Sequence, residues 1–253
     1  MRLHRVEAGS GGRPLLIVPG LFGSARNWGV IQKRLSDRGR VVAVDMRNHG
    51  ASGWSDTHDY AAMAADLAHL IEAEGAEDGW DVLGHSMGGK AAMMLALTAP
   101  ELVHRLIVAD IAPVAYEHSQ MHLIEAMRGL DLAGLRSRSD ADARLAGTVS
   151  DRGVRAFLLQ SLDWREGCWT LNLDVLGREM ATITGWPDPQ GSFPRGALFL
   201  SGGESDYVLP AHRDRIRGLF PKARFARIPG AGHWLHAEKP REVEASMRAF
   251  LDA

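Results

Sequence analysis

Short apolar runs alternate with longer segments of helical spacing through the first half of the chain, and this alternation restricts the fold most. The apolar runs have the length of strands and end near glycine or aspartate: 15–18, 41–44, 81–83 and 106–108. The segments between them carry apolar or small residues on one helical face: 28–35, 60–74 and 86–97. Continuous apolar strands are typical of parallel sheets buried on both faces. Strand–helix alternation therefore predicts an α/β fold, with a mostly parallel central sheet and helices on both faces.

The alternation stops after Asp110 and resumes near residue 197. The intervening chain is helix-like, irregular and rich in arginine. A second set of elements then follows: a strand at 197–200, a helix at 211–220, a strand at 224–228 and a helix at 240–251. We therefore predict one core made of residues 1–113 and 191–253, with residues 114–190 inserted as a helical lid. Open α/β sheets bind ligands at the carboxyl ends of their strands, so the lid is expected over that edge.

The strongest chemical signal is Gly84-His85-Ser86-Met87-Gly88, which follows an apolar strand and opens a helix. In that context the pattern predicts a nucleophile elbow, in which a tight turn lifts a serine hydroxyl into a cleft. Glycine is needed on both sides because side chains there would collide. The following helix N-terminus offers free N–H groups to a developing oxyanion. Ser86 is thus predicted to be a nucleophile, and a helix-capping serine is the simpler alternative.

A serine hydroxyl needs a general base, and His233 is the strongest candidate among 11 histidines. It follows an apolar strand within the glycine-rich segment 229–234, which brings it to the same edge of the sheet as Ser86. The acid that orients the imidazole has two candidates, Asp206 and Asp110. Both preserve the order serine, acid, histidine. The double-glycine turn before Asp206 favours it over Asp110, although Asp110 ends the strand next to the one that bears Ser86.

An oxyanion hole requires two backbone donors, and the predicted ones are the amides of Met87 and Leu21. Leu21 belongs to Pro19-Gly20-Leu21-Phe22-Gly23, a glycine-rich turn after the first strand. Ligand sites are mostly apolar, so we expect a substrate pocket between lid and sheet. Its predicted lining includes these side chains: Phe22, Met87, Trp164, Trp169 and Trp186. Each tryptophan could instead only attach the lid to the core.

Charge and composition exclude several partners. The formal net charge of −2, with both signs intermixed, selects neither nucleic acid nor an anionic membrane surface. No His/Cys/Asp cluster has metal-ligand spacing, and no glycine-rich segment has a dinucleotide or phosphate-loop pattern, so neither metal nor cofactor is expected. The lone Cys168 precludes an internal disulfide, and no apolar run is long enough to cross a bilayer. We expect a cytoplasmic protein with a small-molecule substrate; its oligomeric state stays open.

With these residues placed, the chain resembles the α/β-hydrolase superfamily over nearly its full length. The matching segments appear in the expected order: 19–24, 45–52, 84–90, 110–114 and 230–240. The Arg-Asn-His-Gly and Asp-Ile-Ala-Pro-Val variants, with Lys90 closing the elbow, are similar to a narrower group of small bacterial esterases and thioesterases related to mitochondrial abhydrolase-domain proteins. The resemblance implies the fold, the nucleophile and the base. It also implies hydrolysis of short-chain carboxylic esters or thioesters, including acyl-coenzyme A.

Two departures from the family pattern stand out. The superfamily usually has a histidine before Gly20 that braces the oxyanion loop, whereas this chain has Pro19, so the loop must be held in another way. The narrower group tends to use an acid at the position of Asp110 and to lack one at Asp206, whereas this chain has both. Two other functions stay open: another serine-triad reaction, such as C–C bond hydrolysis or cofactor-free perhydrolysis, and a ligand sensor of slow turnover.

Overall fold

A mostly parallel sheet organises the protein. The structure, a computed structural model, describes residues 1–75 and 78–253. The strands are β1 (Arg5–Ala8), β2 (Leu15–Val18), β3 (Val41–Val44), β4 (Trp80–His85), β5 (Val103–Ala109), β6 (Leu162–Asp163), β7 (Cys168–Trp169), β8 (Ala197–Gly202) and β9 (Ala223–Ile228). Within the described ranges, seven of them form one sheet in the order β1-β3-β2-β4-β5-β8-β9. Only β1 runs antiparallel in it, paired with β3, and β6 pairs with β7 in a separate ribbon.

Helices cover both faces of the sheet. They are α1 (Gly29–Leu35), α2 (Tyr60–Glu74), α3 (Met87–Thr98), α4 (Met121–Arg128), α5 (Arg138–Leu145), α6 (Arg152–Leu158), α7 (Leu173–Arg178), α8 (Met180–Thr184), α9 (Arg213–Leu219), α10 (Leu235–Glu238) and α11 (Pro240–Leu251). Successive strand residues point to opposite faces. Leu16 and Val18 accordingly pack with α2 and α3, whereas Leu15 and Ile17 pack with α1 and α11. The predicted α/β architecture, a mostly parallel central sheet with helices on both faces, is confirmed.

The helix that follows the central strand is the most enclosed element of the core. Every residue of α3 from Met87 to Leu97 is buried, as is all of β4 before it. A helix that is apolar on all sides belongs in a protein interior, and over this stretch α3 consists of glycine, alanine, methionine and leucine apart from Lys90. The serine between β4 and α3 is therefore held by two buried elements.

The segment predicted as a lid runs between β5 and β8 and contains α4 to α8 and the ribbon β6–β7. Its buried side chains, including Ile124, Leu158 and Leu176, join the same hydrophobic cluster as the sheet face under α2 and α3. A second attachment is made of backbone: Gly50 N–H donates to Thr170 O at 2.8 Å, and Asn172 N–H to Asn48 O at 3.0 Å. Over the described residues, no helix combines the length and apolarity needed to cross a membrane.

Candidate active site

Ser86 occupies a strained turn between β4 and α3. Its φ is 53°, in the left-handed region that L-residues rarely adopt. The flanking glycines are required by contact: a Cβ on Gly84 would lie 2.3 Å from the carbonyl oxygen of Gly88, and a Cβ on Gly88 would lie 2.3 Å from that of Pro19. Side chains at these two positions would therefore collide with the backbone, as the sequence analysis inferred for the Gly-His-Ser-Met-Gly motif.

The structure brings Ser86, His233 and Asp110 into one hydrogen-bonded chain. Ser86 Oγ lies 3.0 Å from His233 Nε2, and His233 Nδ1 lies 2.8 Å from Asp110 Oδ2. In this arrangement the Nδ1–H donates to the carboxylate, which leaves the Nε2 lone pair facing the serine hydroxyl. The geometry is that of a serine, a general base and an orienting acid.

The preference for Asp206 as the acid is wrong on geometry. Asp206 is exposed to solvent on the loop after β8, whereas Asp110 is fully buried. Strand order explains the position of Asp110, because β5 lies directly beside β4 and Asp110 directly follows its last residue, Ala109, whose carbonyl accepts from Ser86 N–H. The loop after β8 supplies Ser205 instead, whose hydroxyl donates to Asp110 Oδ2. Gly202 N–H donates to Asp110 Oδ1 at 2.9 Å, so both carboxylate oxygens accept hydrogen bonds.

Aromatic and imidazole rings surround His233. Tyr207 stacks on it with ring centroids 4.1 Å apart. His85 Nε2 donates to the backbone carbonyl of His233 at 2.8 Å, which supports the loop that carries His233. Burial lowers the pKa of His85 to about 3. Burial also holds the pKa of His236 well below its ordinary value, and His236 stacks on Trp28 at 4.0 Å. Both shifts favour the neutral imidazole, so His85 and His236 do not compete with His233 for a proton at ordinary pH.

The predicted oxyanion donors, Leu21 and Met87, both line the cavity beside Ser86. Met87 begins α3, and the first N–H groups of a helix have no intrahelical acceptor. Leu21 lies in a turn closed by Gly23 N–H donating to Gly20 O at 3.0 Å. A buried histidine that the sequence analysis did not place there, His49, accepts the next N–H along the chain, that of Phe22, at 3.1 Å. This hydrogen bond holds the loop that contains Pro19, where the superfamily usually has a bracing histidine.

A cavity of about 290 Å³ opens over Ser86, and most of its wall is apolar. Its lining includes the predicted Phe22 and Met87 and these further residues: Trp28, Tyr60, Lys90, Ile111, Tyr116, Leu123, Phe157, Met180, Ile183, Tyr207 and Trp234. Sequence reasoning did not assign these further residues to a pocket, because they come from both core and insertion.

The three tryptophans predicted to line the pocket do not line it. Trp169 is buried within the insertion, where its Nε1–H donates to Met127 O at 2.9 Å. Trp186 packs near Tyr60, with ring centroids 6.3 Å apart. Trp164 faces a different and more polar cleft. Their large apolar surfaces attach the insertion to itself and to the core.

Lys90 is an unexpected group in the cavity wall, since it is 1% exposed. Its Nζ donates to Thr184 O at 2.9 Å and to Gly185 O at 2.6 Å, at the end of α8. The ammonium also lies over the ring of Tyr116, 4.8 Å from its centroid. Burial lowers the pKa of Lys90 to about 7. This residue therefore connects α3 to the end of the insertion.

Comparison with known proteins gives consistent matches over the whole fold. Residues 15–246 match a family described as "Alpha/beta hydrolase family". The sn-1-specific diacylglycerol lipase ABHD11 of Mus musculus is 39% identical over 248 residues, covering 94% of this chain and 80% of that protein. Esterase YbfF of Escherichia coli (strain K12) is 39% identical over 242 residues, covering 94% and 93%. A solved structure named "Marine microorganism esterase" has a TM-score of 0.94 at 35% identity, covering 98% of this chain and 99% of that one.

Proposed function

Since the chain belongs to the alpha/beta hydrolase family, we propose that it hydrolyses short-chain carboxylic esters or thioesters through an acyl-enzyme on Ser86. The observation that carries this proposal is the hydrogen-bonded chain Ser86–His233–Asp110, whose serine and histidine line a mostly apolar cavity. Relatives named as esterase and lipase support the reaction class.

In the first half of the reaction, Ser86 Oγ attacks the substrate carbonyl while His233 Nε2 takes the hydroxyl proton. Asp110 fixes the imidazole tautomer and stabilises the imidazolium that forms. The amides of Leu21 and Met87 face the oxygen that becomes negative, where preorganised donors lower the barrier most. When the tetrahedral species collapses, the bond from acyl carbon to the ester oxygen or thioester sulfur breaks. The leaving group then takes the proton from His233.

In the second half, water attacks the acyl carbon of the Ser86 ester. His233 accepts one proton from this water and returns it to Ser86 Oγ as the carboxylic acid departs. The nucleophile and the base are thereby restored.

The size and chemistry of the cavity support a short, uncharged acyl group. A volume of about 290 Å³ lies at the small end of the ~300–1,000 Å³ usual for ligand pockets. Apolar side chains such as Leu123, Met180 and Ile183 form much of the wall between core and insertion. We therefore propose that the insertion serves as the lid and supplies part of the acyl pocket.

The test is a chain-length series of p-nitrophenyl esters and acyl-coenzyme A thioesters, assayed for multiple turnover. We expect turnover to be greatest for short acyl chains. A fluorophosphonate probe should label the wild type, and Ser86→Ala should abolish both labelling and turnover while the protein stays folded. The exposed Cys168 provides the matched control, since Cys168→Ser removes the only thiol and should change neither.

Two results would contradict the proposal. If Ser86→Ala kept more than a few per cent of wild-type turnover, Ser86 would not be the nucleophile. A single slow burst that leaves a persistent adduct would instead favour a ligand sensor.

A further inference from the structure

The oxyanion loop contains a residue in an unfavourable backbone conformation. The Gly20–Gly23 turn places Phe22 at its third position with a φ of 64°. Turns with a positive φ at that position normally use glycine or asparagine. A phenylalanine persists in such a conformation only where the surrounding structure holds it there, and such residues cluster at functional sites.

Two buried side chains hold Phe22 from opposite ends of its backbone. On the amide side, Phe22 N–H donates to His49 Nε2 at 3.1 Å. On the carbonyl side, Phe22 O accepts from Ser161 Oγ at 2.9 Å. His49 is 0% exposed and Ser161 is 4% exposed, so neither bond competes with bulk water.

The imidazole of His49 is arranged to act as an acceptor. Its Nδ1 lies 2.9 Å from the carbonyl oxygen of Arg47, a contact that requires a proton on Nδ1. Nε2 must then present a lone pair to Phe22. Burial supports this state, because it lowers the pKa of His49 to about 4 and keeps the ring neutral at ordinary pH.

The two holding residues come from different parts of the chain. His49 belongs to the loop after β3, while Ser161 belongs to the insertion between β5 and β8. The parts are themselves joined, since His49 forms a β-bridge with Leu171 and Gly50 N–H donates to Thr170 O. Ser161 O in turn accepts from Thr170 N–H at 2.8 Å.

We propose that His49 and Ser161 are positioning residues for the oxyanion hole, and that the insertion thereby takes part in the chemical step. By fixing both peptide groups of Phe22, they hold the preceding Leu21 amide towards the space above Ser86. This proposal rests on the proposed function. It extends that function, because it makes the insertion a support for transition-state stabilisation as well as a cover for the substrate.

The first test compares two variants at each position by steady-state turnover of a short p-nitrophenyl ester. Gln in His49→Gln can offer an oxygen near the position of Nε2, whereas Leu in His49→Leu fills similar space without an acceptor. A displacement of about 1 Å in an active site costs on the order of 10²-fold. We expect His49→Leu to lower kcat by about that factor with KM little changed, and His49→Gln to restore most of it. Ser161→Ala should lower kcat, and Ser161→Thr, which keeps the hydroxyl, should restore it.

The second test measures hydrogen exchange of the Phe22 amide in the Ser86→Ala background, which needs no turnover. We expect strong protection that His49→Leu reduces at least about tenfold, as loss of a buried acceptor implies. Equal kcat in His49→Leu and His49→Gln, or equal Phe22 protection with and without His49, would overturn the proposal. If the wild type turned over no ester, the proposed function would fail, but the exchange result would still decide whether His49 holds the loop. If His49→Leu does not fold, the Ser161 pair decides by the same comparison.

Discussion

Replacing Asp110 by asparagine tests the arrangement of the site most directly. The carboxylate accepts three hydrogen bonds: from His233 Nδ1, Ser205 Oγ and Gly202 N–H. An asparagine side chain has the same shape, but one of its two ends is an NH₂ group that cannot accept. If that end faces His233, the imidazole must move its proton to Nε2, and Nε2 can then no longer accept the proton of Ser86.

The expected magnitude follows from this geometry. Loss of the correct tautomer costs about 10⁴ in turnover in a working triad, which is about 5.4 kcal/mol of barrier at ~1.36 kcal/mol per factor of ten. If the amide rotates instead, its NH₂ meets Gly202 N–H, and a buried donor is left unsatisfied at a cost of ~1–3 kcal/mol of stability. Because this cost disfavours the rotated amide, we expect Asp110→Asn to lose activity, and to melt at a lower temperature to the extent that the rotated amide is populated.

The assay is kcat/KM for a short p-nitrophenyl ester together with thermal unfolding of the same samples. Asp206→Asn is the matched control, because Asp206 has the same chemistry on the neighbouring loop but is exposed. It should leave stability within about 0.5 kcal/mol of wild type and activity nearly unchanged. Retention of more than a tenth of wild-type activity by Asp110→Asn, or a larger loss in Asp206→Asn, would refute the reasoning.

Three further predictions concern stability. Burial lowers the pKa of His49 to about 4 and of His85 to about 3. Below about pH 6.5 these histidines therefore bind more protons in the unfolded chain than in the folded one. As the pH falls from there to about 4, each residue should lower the free energy of unfolding by up to ~1.4 kcal/mol per pH unit. Urea titrations that gave the same free energy of unfolding at pH 7.5, 6 and 5 would contradict this. Burial lowers the pKa of Lys90 to about 7, so wild-type stability should rise between about pH 7 and 10, and urea titrations of Lys90→Met should show this rise removed. Gly88→Ala should lower the melting temperature because its Cβ would lie 2.3 Å from a backbone carbonyl oxygen, whereas Gly53→Ala, with nothing nearer than 3.6 Å, should not; equal melting temperatures would oppose the steric account.

The parallel sheet could be predicted because its strands are short apolar runs that can be recognised from the local sequence. The edge strand Arg5–Ala8 was missed: its two middle residues are exposed and the others only partly buried, so its sequence carries little apolar signal. Its partner, β3, lies more than thirty residues further along the chain. Such a pairing depends on tertiary contacts and produces no recognisable pattern in the local sequence.

Within the site, the residues that could be predicted from sequence are those whose side-chain chemistry and local sequence pattern both indicate the same role. Ser86 and His233 each follow a strand in a glycine-rich turn, which the pattern reveals. Both Asp110 and Asp206 follow strands, so the local pattern could not decide between them; the choice depended on the conformation of the loop after β8, which turns Ser205 and not Asp206 towards the site. His49 carried even less signal, because its contact with Phe22 joins residues 27 apart in sequence through a buried imidazole.

The complete burial of α3 has a consequence for how the enzyme would lose activity on heating. Local opening requires least free energy in exposed loops and most in fully packed elements. Ser86, the proposed nucleophile, is attached to an element of the second kind, whereas His233, the proposed base, comes from a glycine-rich loop and Ser161 from the insertion. On heating, the parts of the site should therefore unfold one after another. The loops that carry His233 and Phe22 should be displaced first, while the turn that carries Ser86 is still formed. Inactivation should precede the loss of helical circular dichroism and should reverse on cooling as long as the sheet and α3 remain folded.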